Sequence, residues 1–437
     1  MVMALDGIKV LDVSQVAAVP MCARHLADYG ADVIHVENAR LGDSWRNLQA
    51  GHGGGPAGVP SDIPYNWEAF NRNKKSLAVD LSKKAGQELI YRLVKQTDIF
   101  LTNLRLSERD KLYMDFESIK KQNSDIIYGS LTGHGMNGPD KDMPAYDTTV
   151  YFCRSGINHT LTIPGMSGPS PRAAFGDNLA GIILAFGVMT ALFHKEKTGK
   201  GQEVDTSLLA AGIYQETFDM SSAMTTRIDD TSYHLEAFEG TDEERAERDR
   251  LMLEAQTALM NLGDFYKERL PNPMANAYAA KDGKVFRFNG LQGDRWWDKF
   301  CQLPGLEDLA GKPEYADMES REQHKKELYH RFKEAFLSKT IEEWKPLIAD
   351  LPGAPFQNLV EVADDPQVIA NQMIMPFDHP SYGEIPVMGS PVNLSETPAT
   401  IREPAPEIGQ HTELILMEAG FEWEEIEKLK AEAVIPE

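Results

Sequence analysis

The first half of the chain alternates short β-rich runs with amphipathic segments, and this rhythm restricts the fold more than any other feature. Predicted strands cover residues 8–13, 31–37, 76–81, 98–103 and 125–131. Helices are predicted between strands, near residues 21–29 and after Ser82, a predicted N-cap, through KKAGQELIYRLVKQ. Strand–helix–strand repeats form right-handed crossovers. The sequence therefore predicts an α/β fold with a doubly wound parallel sheet.

Ligands of such sheets bind beyond the carboxyl ends of the strands, where residues 16–20, 103–107 and 133–138 would lie. Basic side chains gather in FNRNKKS and NLRLSERDK, and we expect these segments to converge at one end of the sheet; they include Arg72, Lys74, Lys75, Arg105, Arg109 and Lys111. In a chain of formal net charge -23, this cluster suits a polyanion such as a nucleotide with several phosphates. A solvated basic rim explains the same residues equally well.

The length of 437 residues exceeds the ~250–300 residues at which a single core stops growing, so two domains are predicted. The prediction is a large domain over residues 1–215, a charged linker over 216–265, a smaller α+β domain over 266–345 and a return segment over 346–437. Within the small domain, KDG between two alternating runs predicts a β-hairpin. A last helix is predicted over about residues 413–433.

Composition and charge exclude several classes. The acidic balance disfavours nucleic acid or an anionic membrane surface as partner. Cys22, Cys153 and Cys301 form no CxxC pair, so no zinc site or disulfide framework is indicated, and a reducing cytoplasm is predicted. The N-terminal residues lack the basic segment and long apolar run of a secretion signal, so none is expected. The longest apolar run, residues 180–193, is shorter than the ~17–25 residues that span a bilayer. We predict a buried helix there, no membrane partner and no metal site.

Two segments match GxGxxG, the pattern of dinucleotide-binding loops. Residues 53–58 follow no strand and contain a proline, which favours a plain loop. Residues 133–138 follow a strand, but Pro139 interrupts the helix that would hold a pyrophosphate. A nicotinamide-dependent oxidoreductase is therefore a poorly supported alternative. His134, between two glycines, is retained as a candidate wall residue.

Asp177 stands between Gly176 and an apolar helical run, and it is the sharpest functional candidate. The default role of an acid there is an N-cap that accepts backbone N–H groups. The alternative is a nucleophile toward thioesters. A carboxylate of ordinary pKa ~3.9 is ionised without a general base, and a thiolate, with a thiol pKa of ~8–9, leaves without a general acid. Backbone N–H donors would have to stabilise the oxyanion.

Several motifs, in order along nearly the whole chain, resemble class III coenzyme A transferases. This family includes formyl-CoA:oxalate, carnitine and aryl-lactate CoA-transferases and α-methylacyl-CoA racemase. The motifs are LDGIKVLDVSQVAAVP, GADVIHVE, NRNKKSLAVDL, GPDKDMPAYD, FGDNLAG, KTGKGQEVDTSL, NPMANAYAAKDGK and APEIGQHTELILMEAG. The resemblance implies a Rossmann-like large domain, a small domain and two interlocked chains, as a homodimer or a heterodimer with a paralogous subunit. It implies no tightly bound cofactor, with coenzyme A and acyl-CoA as substrates.

The resemblance also implies roles for individual residues. Asp177 attacks the donor acyl-CoA, giving a mixed anhydride and CoA thiolate; the acceptor carboxylic acid displaces the donor acid, and CoA returns through an aspartyl-CoA thioester. Family contacts with CoA fall on Val16, Ala17, Ala18, Val79, Asn103, Leu104 and Lys111. Arg72, Lys75 and Arg105 of the basic cluster join them as predicted CoA contacts. Tyr146 and Asp147 would line the acyl site.

Departures from the family pattern favour some of the family's activities over others. Tyr146 stands where racemases have a histidine, so an acyl-CoA racemase or epimerase is the weaker alternative. Ala17 replaces a glutamine of formyl-CoA:oxalate transferases, and TDEERAERDRLMLEAQ replaces their glycine-rich lid. Asn38 replaces a basic residue that some members use on the nucleotide. The segment GPDKDMPAYDTTVYFCRSG is most similar to aryl-lactate or substituted-succinate transferases, which implies a bulky hydroxy acid or succinate as acceptor. A non-catalytic CoA-binding subunit of a hetero-oligomer is the third alternative.

Overall fold

The structure is a computed structural model that describes residues 2–47, 61–162, 169, 171–227 and 272–437. The described residues divide into two compact units: a larger one, up to residue 227 together with 371–437, and a smaller one, 272–370. The GGGPAG segment, the lid region and most of the predicted 216–265 linker lie outside the described residues. The domain boundaries drawn from the sequence stay a prediction.

Six parallel strands form the central sheet of the larger unit, in the order β3-β2-β1-β4-β5-β6. The strands are β1 (Lys9–Val13), β2 (Asp32–Asn38), β3 (Lys74–Val79), β4 (Ile99–Thr102), β5 (Ile127–Thr132) and β6 (Glu203–Ser207). The order reverses between β1 and β4, which is where doubly wound sheets bind ligands. The predicted parallel sheet is confirmed. Strand β6 was not predicted, because EVDTS contains no apolar run that would have indicated a strand.

Helices cover both faces of this sheet, because alternate strand residues belong to separate cores. Val10 and Leu101 pack in one core, while Leu11 and Phe100 pack in the other. The helices up to residue 227 are α1 (Ala18–Asp28), α2 (Tyr65–Asn71), α3 (Lys84–Val94), α4 (Leu106–Leu112), α5 (Phe116–Lys120), α6 (Ile157–Thr160), α7 (Phe175–Thr198), α8 (Leu208–Gln215) and α9 (Thr217–Thr226), with a 3₁₀ turn at Ser44–Asn47 and a π-helix at Asp147–Arg154.

The predicted N-cap of α3 is wrong. Lys83 occupies the cap position without a side-chain bond, and the Ser82 hydroxyl donates to Asp80 instead. A serine caps a helix only where its side chain faces the first N–H groups. Here the competing local bond to a neighbouring carboxylate uses that hydroxyl.

Helix α7 is longer and less buried than the apolar run predicted. It has 24 residues, and by length and composition it could cross a membrane, with a window of mean hydropathy 1.6 that is 44% buried. Small residues such as Ala180, Gly181 and Ala191 face the core, whereas Phe186 and Phe193 are 76% and 62% exposed. The prediction of a buried helix over residues 180–193 is therefore wrong for the outer face of this helix.

The smaller unit packs helices against a three-stranded antiparallel sheet. Its strands are β7 (Ala277–Ala279), β8 (Val285–Phe288) and β9 (Gly353–Pro355). Its helices are α10 (Gly293–Phe300), α11 (Met318–Gln323), α12 (Lys325–Phe336), α13 (Ile341–Trp344), α14 (Leu359–Ala363) and α15 (Pro366–Ala370). The KDG hairpin is confirmed, with Gly283 at a φ of 79° in the turn.

Residues 371–437 complete the larger unit. They form the antiparallel hairpin of β10 (Ile374–His379) and β11 (Gly383–Met388), followed by α16 (Thr412–Glu418) and α17 (Trp423–Ala431). The single last helix predicted from the sequence is wrong. Gly420, with a φ of 78°, ends α16 in the left-handed conformation that glycine adopts at low cost.

Candidate active site

A cavity of about 450 Å³ opens at the carboxyl end of the central sheet, beside the point where the strand order reverses. Segments that follow β1, β4 and β5, together with the start of α7, form its wall. Nine of the residues predicted from the sequence line it: Val16, Ala17, Ala18, Asn103, Leu104, Arg105, Tyr146, Asp147 and Asp177. The fold thus brings predicted residues from four separate segments of the chain to one site.

Asp177 lies in the first turn of α7, but it is not the N-cap. That position belongs to Ala174, which has a φ of 67° and makes no side-chain cap bond. The Asp177 side chain is half-buried and lines the cavity. Within the part of the chain that the structure describes, its carboxyl group has no hydrogen-bond or ion-pair partner. The default interpretation as a helix cap is therefore wrong, and the carboxylate faces the cavity.

Two glycines near Asp177 allow neighbouring groups to approach helix α7 more closely than any residue with a Cβ atom would. A Cβ atom on Gly176 would lie 2.4 Å from the Tyr151 ring, and one on Gly181 would lie 2.5 Å from the backbone oxygen of Ala18. Both distances are shorter than real Cβ contacts. Gly181 therefore lets α7 pack tightly on the start of α1, which brings Asp177 beside residues 16–18.

Asp147 is the second acid of the cavity. It is 6% exposed, it begins the π-helix, and its Oδ1 atom accepts the Thr148 N–H at 2.7 Å. Its Oδ2 atom is buried and, among the described residues, has no hydrogen-bond partner. Burial raises the pKa of Asp147, although the backbone N–H groups of Thr148, Gly176 and Ala174 oppose that rise.

Burial, and then repulsion from Asp147, raise the pKa of Asp177 to about 7. At neutral pH the carboxyl group is therefore ionised to a smaller extent than the ordinary pKa of an aspartate predicts. A desolvated carboxylate that still ionises near neutrality is a stronger base than a solvated one. Such a group suits nucleophilic attack, at the cost of a fraction that is protonated at pH 7.

Residues 15–18 approach Asp177 from the end of β1 and are held by side chains of other segments. Asn103 accepts the Gln15 N–H at 3.0 Å and donates to the Gln15 oxygen at 2.6 Å. Asp43 accepts the Val16 N–H. Helix α1 begins at Ala18, so the N–H groups at its start have no acceptor within the helix.

The predicted convergence of the two basic segments is wrong. Arg105 lies at the cavity, on the carboxyl side of β4. Arg72 and Lys75 lie at the opposite, amino-terminal end of β3. Arg72 is 2% exposed and paired with Asp28, and Lys75 pairs with Asp32 and Glu418. Neither side chain lines the cavity, because parallel strands place the start of one strand far from the end of its neighbour.

Lys141 is the cavity cation that sequence reasoning missed. It lines the cavity with Arg105 and, within the described residues, makes no ion pair. The sequence feature that could have indicated Lys141 is its position within GPDKDMPAYD, five residues before Tyr146. Arg109 has a structural contact instead, donating to the Leu104 oxygen at 2.6 Å.

The remaining predicted residues lie outside this cavity. Val79 and Asn38 line a second cavity of about 310 Å³, which shares Gln15 and Leu104 with the first. Lys111 lies on α4 and lines neither of these two cavities. The Nδ1 atom of His134 lies 3.1 Å from the Arg154 guanidinium. His134 therefore contacts a neighbouring side chain and does not line the first cavity, although Gly133 does.

Two other chemistries receive no support from the geometry. Residues 133–138 lead from β5 into turns and not into a helix, so no helix N-terminus follows the second glycine motif. In the described ranges, no group of three or more His, Cys, Asp or Glu side chains is placed to hold a metal ion.

Comparison with known proteins identifies the family of the chain. The family model described as CoA-transferase family III matches residues 5–237 and 251–412. The (R)-2-hydroxy-4-methylpentanoate CoA-transferase of Clostridioides difficile is 31% identical, over 99% of this chain and 100% of its own length. The cinnamoyl-CoA:phenyllactate CoA-transferase of Clostridium sporogenes is 28% identical, over 97% of this chain and 95% of its own.

Solved structures show the same fold. A CAIB/BAIF family protein from Brucella suis matches with a TM-score of 0.74 and 24% identity, over 96% of this chain and 100% of its own. The resemblance that the motifs indicated is confirmed by the family model, which covers most of the chain. The protein is an enzyme, and the chain belongs to CoA-transferase family III.

Proposed function

We propose that the protein transfers coenzyme A from a donor acyl-CoA to an acceptor carboxylic acid, with Asp177 as the nucleophile. The observation that carries this proposal is the placement of a half-buried carboxyl group, without a partner among the described residues, in a cavity at the ligand-binding end of the sheet. The family supports the class of reaction.

The proposed reaction needs no external acid or base. The Asp177 carboxylate attacks the acyl carbonyl; a C–O bond forms, the C–S bond breaks, and CoA leaves as thiolate. The thiolate attacks the aspartyl carbonyl of this anhydride and releases the donor carboxylate, giving an aspartyl-CoA thioester. The acceptor carboxylate attacks that thioester, which forms a second mixed anhydride and releases the CoA thiolate. The thiolate then attacks the acceptor's acyl carbonyl; a C–S bond forms, the C–O bond to Asp177 breaks, and the new acyl-CoA and the Asp177 carboxylate are released.

The two cavities suggest where the substrates bind. Residues 16–18 and the Asn103–Leu104 pair would contact the pantetheine arm, with Arg105 and Lys141 placed to meet phosphate charge. Val79 in the adjoining cavity would contact the nucleotide end. Coenzyme A and acyl-CoA act as substrates in this scheme, and no resident cofactor is required.

We propose a bulky hydroxy acid or a substituted succinate as acceptor. Two relatives act, by their names, on 2-hydroxy-4-methylpentanoate and phenyllactate. Met143, Pro144, Ala145 and Tyr146 line the same cavity as Asp177 and give it an apolar wall. An apolar wall favours a branched or aromatic side chain over oxalate, which has none.

A dimer is proposed on the family resemblance and on the surface of α7. The exposed Phe186, Met189 and Phe193 recur at helical spacing and form an apolar stripe. A second copy, or a paralogous chain, would cover it. Sedimentation analysis decides between one chain and two. A cytoplasmic location stays a prediction.

Trapping with hydroxylamine tests the nucleophile directly. Protein mixed with an acyl-CoA donor and hydroxylamine should acquire a hydroxamate at Asp177, found by peptide mass spectrometry, because hydroxylamine attacks aspartyl anhydrides and thioesters. Asp177→Ala should show no trapping and no transfer. The matched control is Asp115→Asn, which changes a partly exposed helix cap that does not line the cavity. Full transfer by Asp177→Ala would reject the mechanism.

The donor and acceptor are found by screening. Succinyl-CoA is incubated with a library of carboxylic acids, and new acyl-CoA species are identified by mass spectrometry. Hydroxy acids with branched or aromatic side chains should react at least about tenfold faster than oxalate. Solvent deuterium appearing at the α-carbon of a branched acyl-CoA, without any transfer, would favour the epimerase alternative.

A further inference from the structure

The wall of the cavity contains one backbone conformation that its residue disfavours. Val16 has a φ of 71°, in the left-handed region that β-branched residues rarely adopt. It lies between β1 and the start of α1, and it lines the same cavity as Asp177. Something in the surrounding structure must hold this residue.

Asp43 supplies that contact. Both of its carboxylate oxygens accept the Val16 N–H, at 3.0 and 3.1 Å, and one also accepts the Trp45 N–H at 2.8 Å. Asp43 is 2% exposed. A buried carboxylate needs a positive partner as well as hydrogen bonds.

His35 is that partner. It also contacts Asp12, so charged side chains on the strands of the sheet are linked to Asp43. Its Nε2 atom lies 3.3 Å from Asp43, and its Nδ1 atom lies 2.8 Å from Asp12. Lys74 in turn lies 3.1 Å from Asp12. His35, Asp12 and Lys74 are 0%, 0% and 3% exposed.

The surroundings of His35 favour its protonated form. Burial alone would lower the pKa of His35, but the Asp12 carboxylate, through its charge and its hydrogen bond, and the nearby Asp43 carboxylate oppose that effect and raise the pKa to about 9. The four groups then contribute two negative and two positive charges. Each charge of this set has an opposite charge nearby, whereas removal of any one member would leave an uncompensated buried charge.

We propose, on the basis of the function proposed above, that Asp43 and His35 are positioning residues for the transfer reaction. His35 fixes the Asp43 carboxylate, and Asp43 holds Val16 in its left-handed conformation. That conformation directs the N–H groups at the start of α1, on Ala17 and Ala18, toward the carbonyl that Asp177 attacks. The negative charge that develops on the carbonyl oxygen is stabilised by such donors.

Replacement of Asp43 tests this chain of contacts. Asp43→Ala removes the acceptor of the Val16 N–H, and kcat should fall about tenfold to a hundredfold because the donors shift relative to the carbonyl. The dissociation constant of free CoA, measured by calorimetry, should change by a smaller factor than kcat, because residues 16–18 and Asp43 form only part of the two cavities proposed to bind CoA. Active-site titration with hydroxylamine corrects kcat for any unfolded fraction. A role in folding alone would lower the active fraction and leave corrected kcat unchanged.

A rescue experiment isolates the backbone conformation. Glycine adopts a positive φ at no steric cost, so adding Val16→Gly to Asp43→Ala should recover part of the lost kcat. Val16→Gly alone gives the reference for removing the side chain. Asp115→Ala, which removes a carboxylate that caps α5 by accepting the Ser118 N–H, should leave kcat unchanged. Absence of rescue would overturn the proposed role of Asp43.

Amide exchange supplies a readout that does not depend on activity. Peptides that cover residues 14–18 should exchange hydrogen for deuterium about tenfold faster in the Asp43 variant, because a buried hydrogen bond is lost. Asp43→Asn replaces the alanine variant if that variant does not fold. The asparagine keeps an oxygen acceptor for the Val16 N–H but loses the charge that pairs with His35. The loss of kcat and of protection from exchange should therefore be intermediate between wild type and Asp43→Ala.

The outcomes are distinguishable. If the wild-type protein transfers CoA and the Asp43 variants match it in kcat and exchange, the positioning proposal fails. If the wild-type protein transfers nothing from any donor, the proposed function fails, while the exchange rates still decide whether Asp43 holds residues 14–18.

Discussion

The two units of the molecule have different interiors. The larger unit buries many charged side chains, among them Asp12, Arg24, Asp28, His35, Glu37, Asp43, Arg72 and Lys74. In the described part of the smaller unit, Arg321 is the one charged residue that is buried to the same degree. Its core consists instead of aromatic rings that include Phe286, Phe288, Phe300, Phe332, Phe336 and Trp344, most of them in edge or tilted contact.

The unit that buries many charged side chains is also the unit that contains the candidate site. Aromatic packing stabilises a unit through the buried apolar area and the fit between side chains, and different combinations of apolar side chains can provide both. Buried charges are costly unless each is paired, so they fix particular backbone positions. The larger unit carries the cavity, and its charged groups reach from the sheet to the cavity wall at Val16. The predictions below test whether charge in one unit and shape in the other have these separate roles.

The largest effect is expected at Asp177. Asp177→Asn keeps the size of the side chain but removes the attacking oxygen anion, so kcat should fall at least about 10⁴-fold, or ~5.5 kcal/mol in the barrier. Steady-state transfer assays measure the loss. Thermal unfolding should show no loss of stability, because the raised pKa of Asp177 means that its charge opposes folding at neutral pH. A variant with more than a tenth of wild-type activity would contradict the role of the carboxylate.

Neighbouring lysines on β3 provide the next test. Lys74→Met removes a fully buried amino group and leaves Asp12 with less compensation, so the free energy of unfolding should fall by about 3–5 kcal/mol. The matched control is Lys75→Met, whose amino group is partly exposed and pairs at the surface; it should lose less than about 1 kcal/mol. Urea unfolding followed by circular dichroism measures both. Equal losses would mean that burial does not separate the two lysines.

Activity should depend on pH through the cavity acids. Attack requires ionised Asp177, and burial and repulsion from Asp147 raise its pKa to about 7. As pH falls through 7 the carboxylate is protonated, so kcat/KM at pH 5 should be about a hundredfold below its plateau. Asp147→Asn removes the repulsion, and the acid limb should move to lower pH. A flat profile between pH 5 and 8 would contradict a desolvated nucleophile.

The smallest effect is expected in the aromatic core of the smaller unit. Phe336→Leu replaces a buried ring with a somewhat smaller apolar side chain, and the loss in unfolding free energy should be about 2 kcal/mol or less. Thermal denaturation measures it. CoA transfer at a temperature below the transition should stay within about twofold of wild type. A loss as large as that of Lys74→Met would remove the distinction between the two interiors.

Local patterns were sufficient for much of the fold. Five of the six sheet strands follow from short β-rich runs, and KDG located the small hairpin, because these signals depend on residues close together in the chain. Patterns failed where local bonds competed, as at Ser82, or where Gly420 ended a helix early. The strand β6 and the exposed face of α7 depend on distant packing partners, which no local pattern contains.

The sequence by itself determined the fold class, the family and Asp177 as the candidate nucleophile, because periodicity and ordered motifs are properties of the chain. Only the tertiary structure decided which basic side chains reach the cavity: Lys141 does, and Arg72 does not. It also decided the raised pKa of Asp177 and the contact from Asp12 through His35 to Asp43. The physical reason is that desolvation and charge pairing depend on groups that meet only after folding.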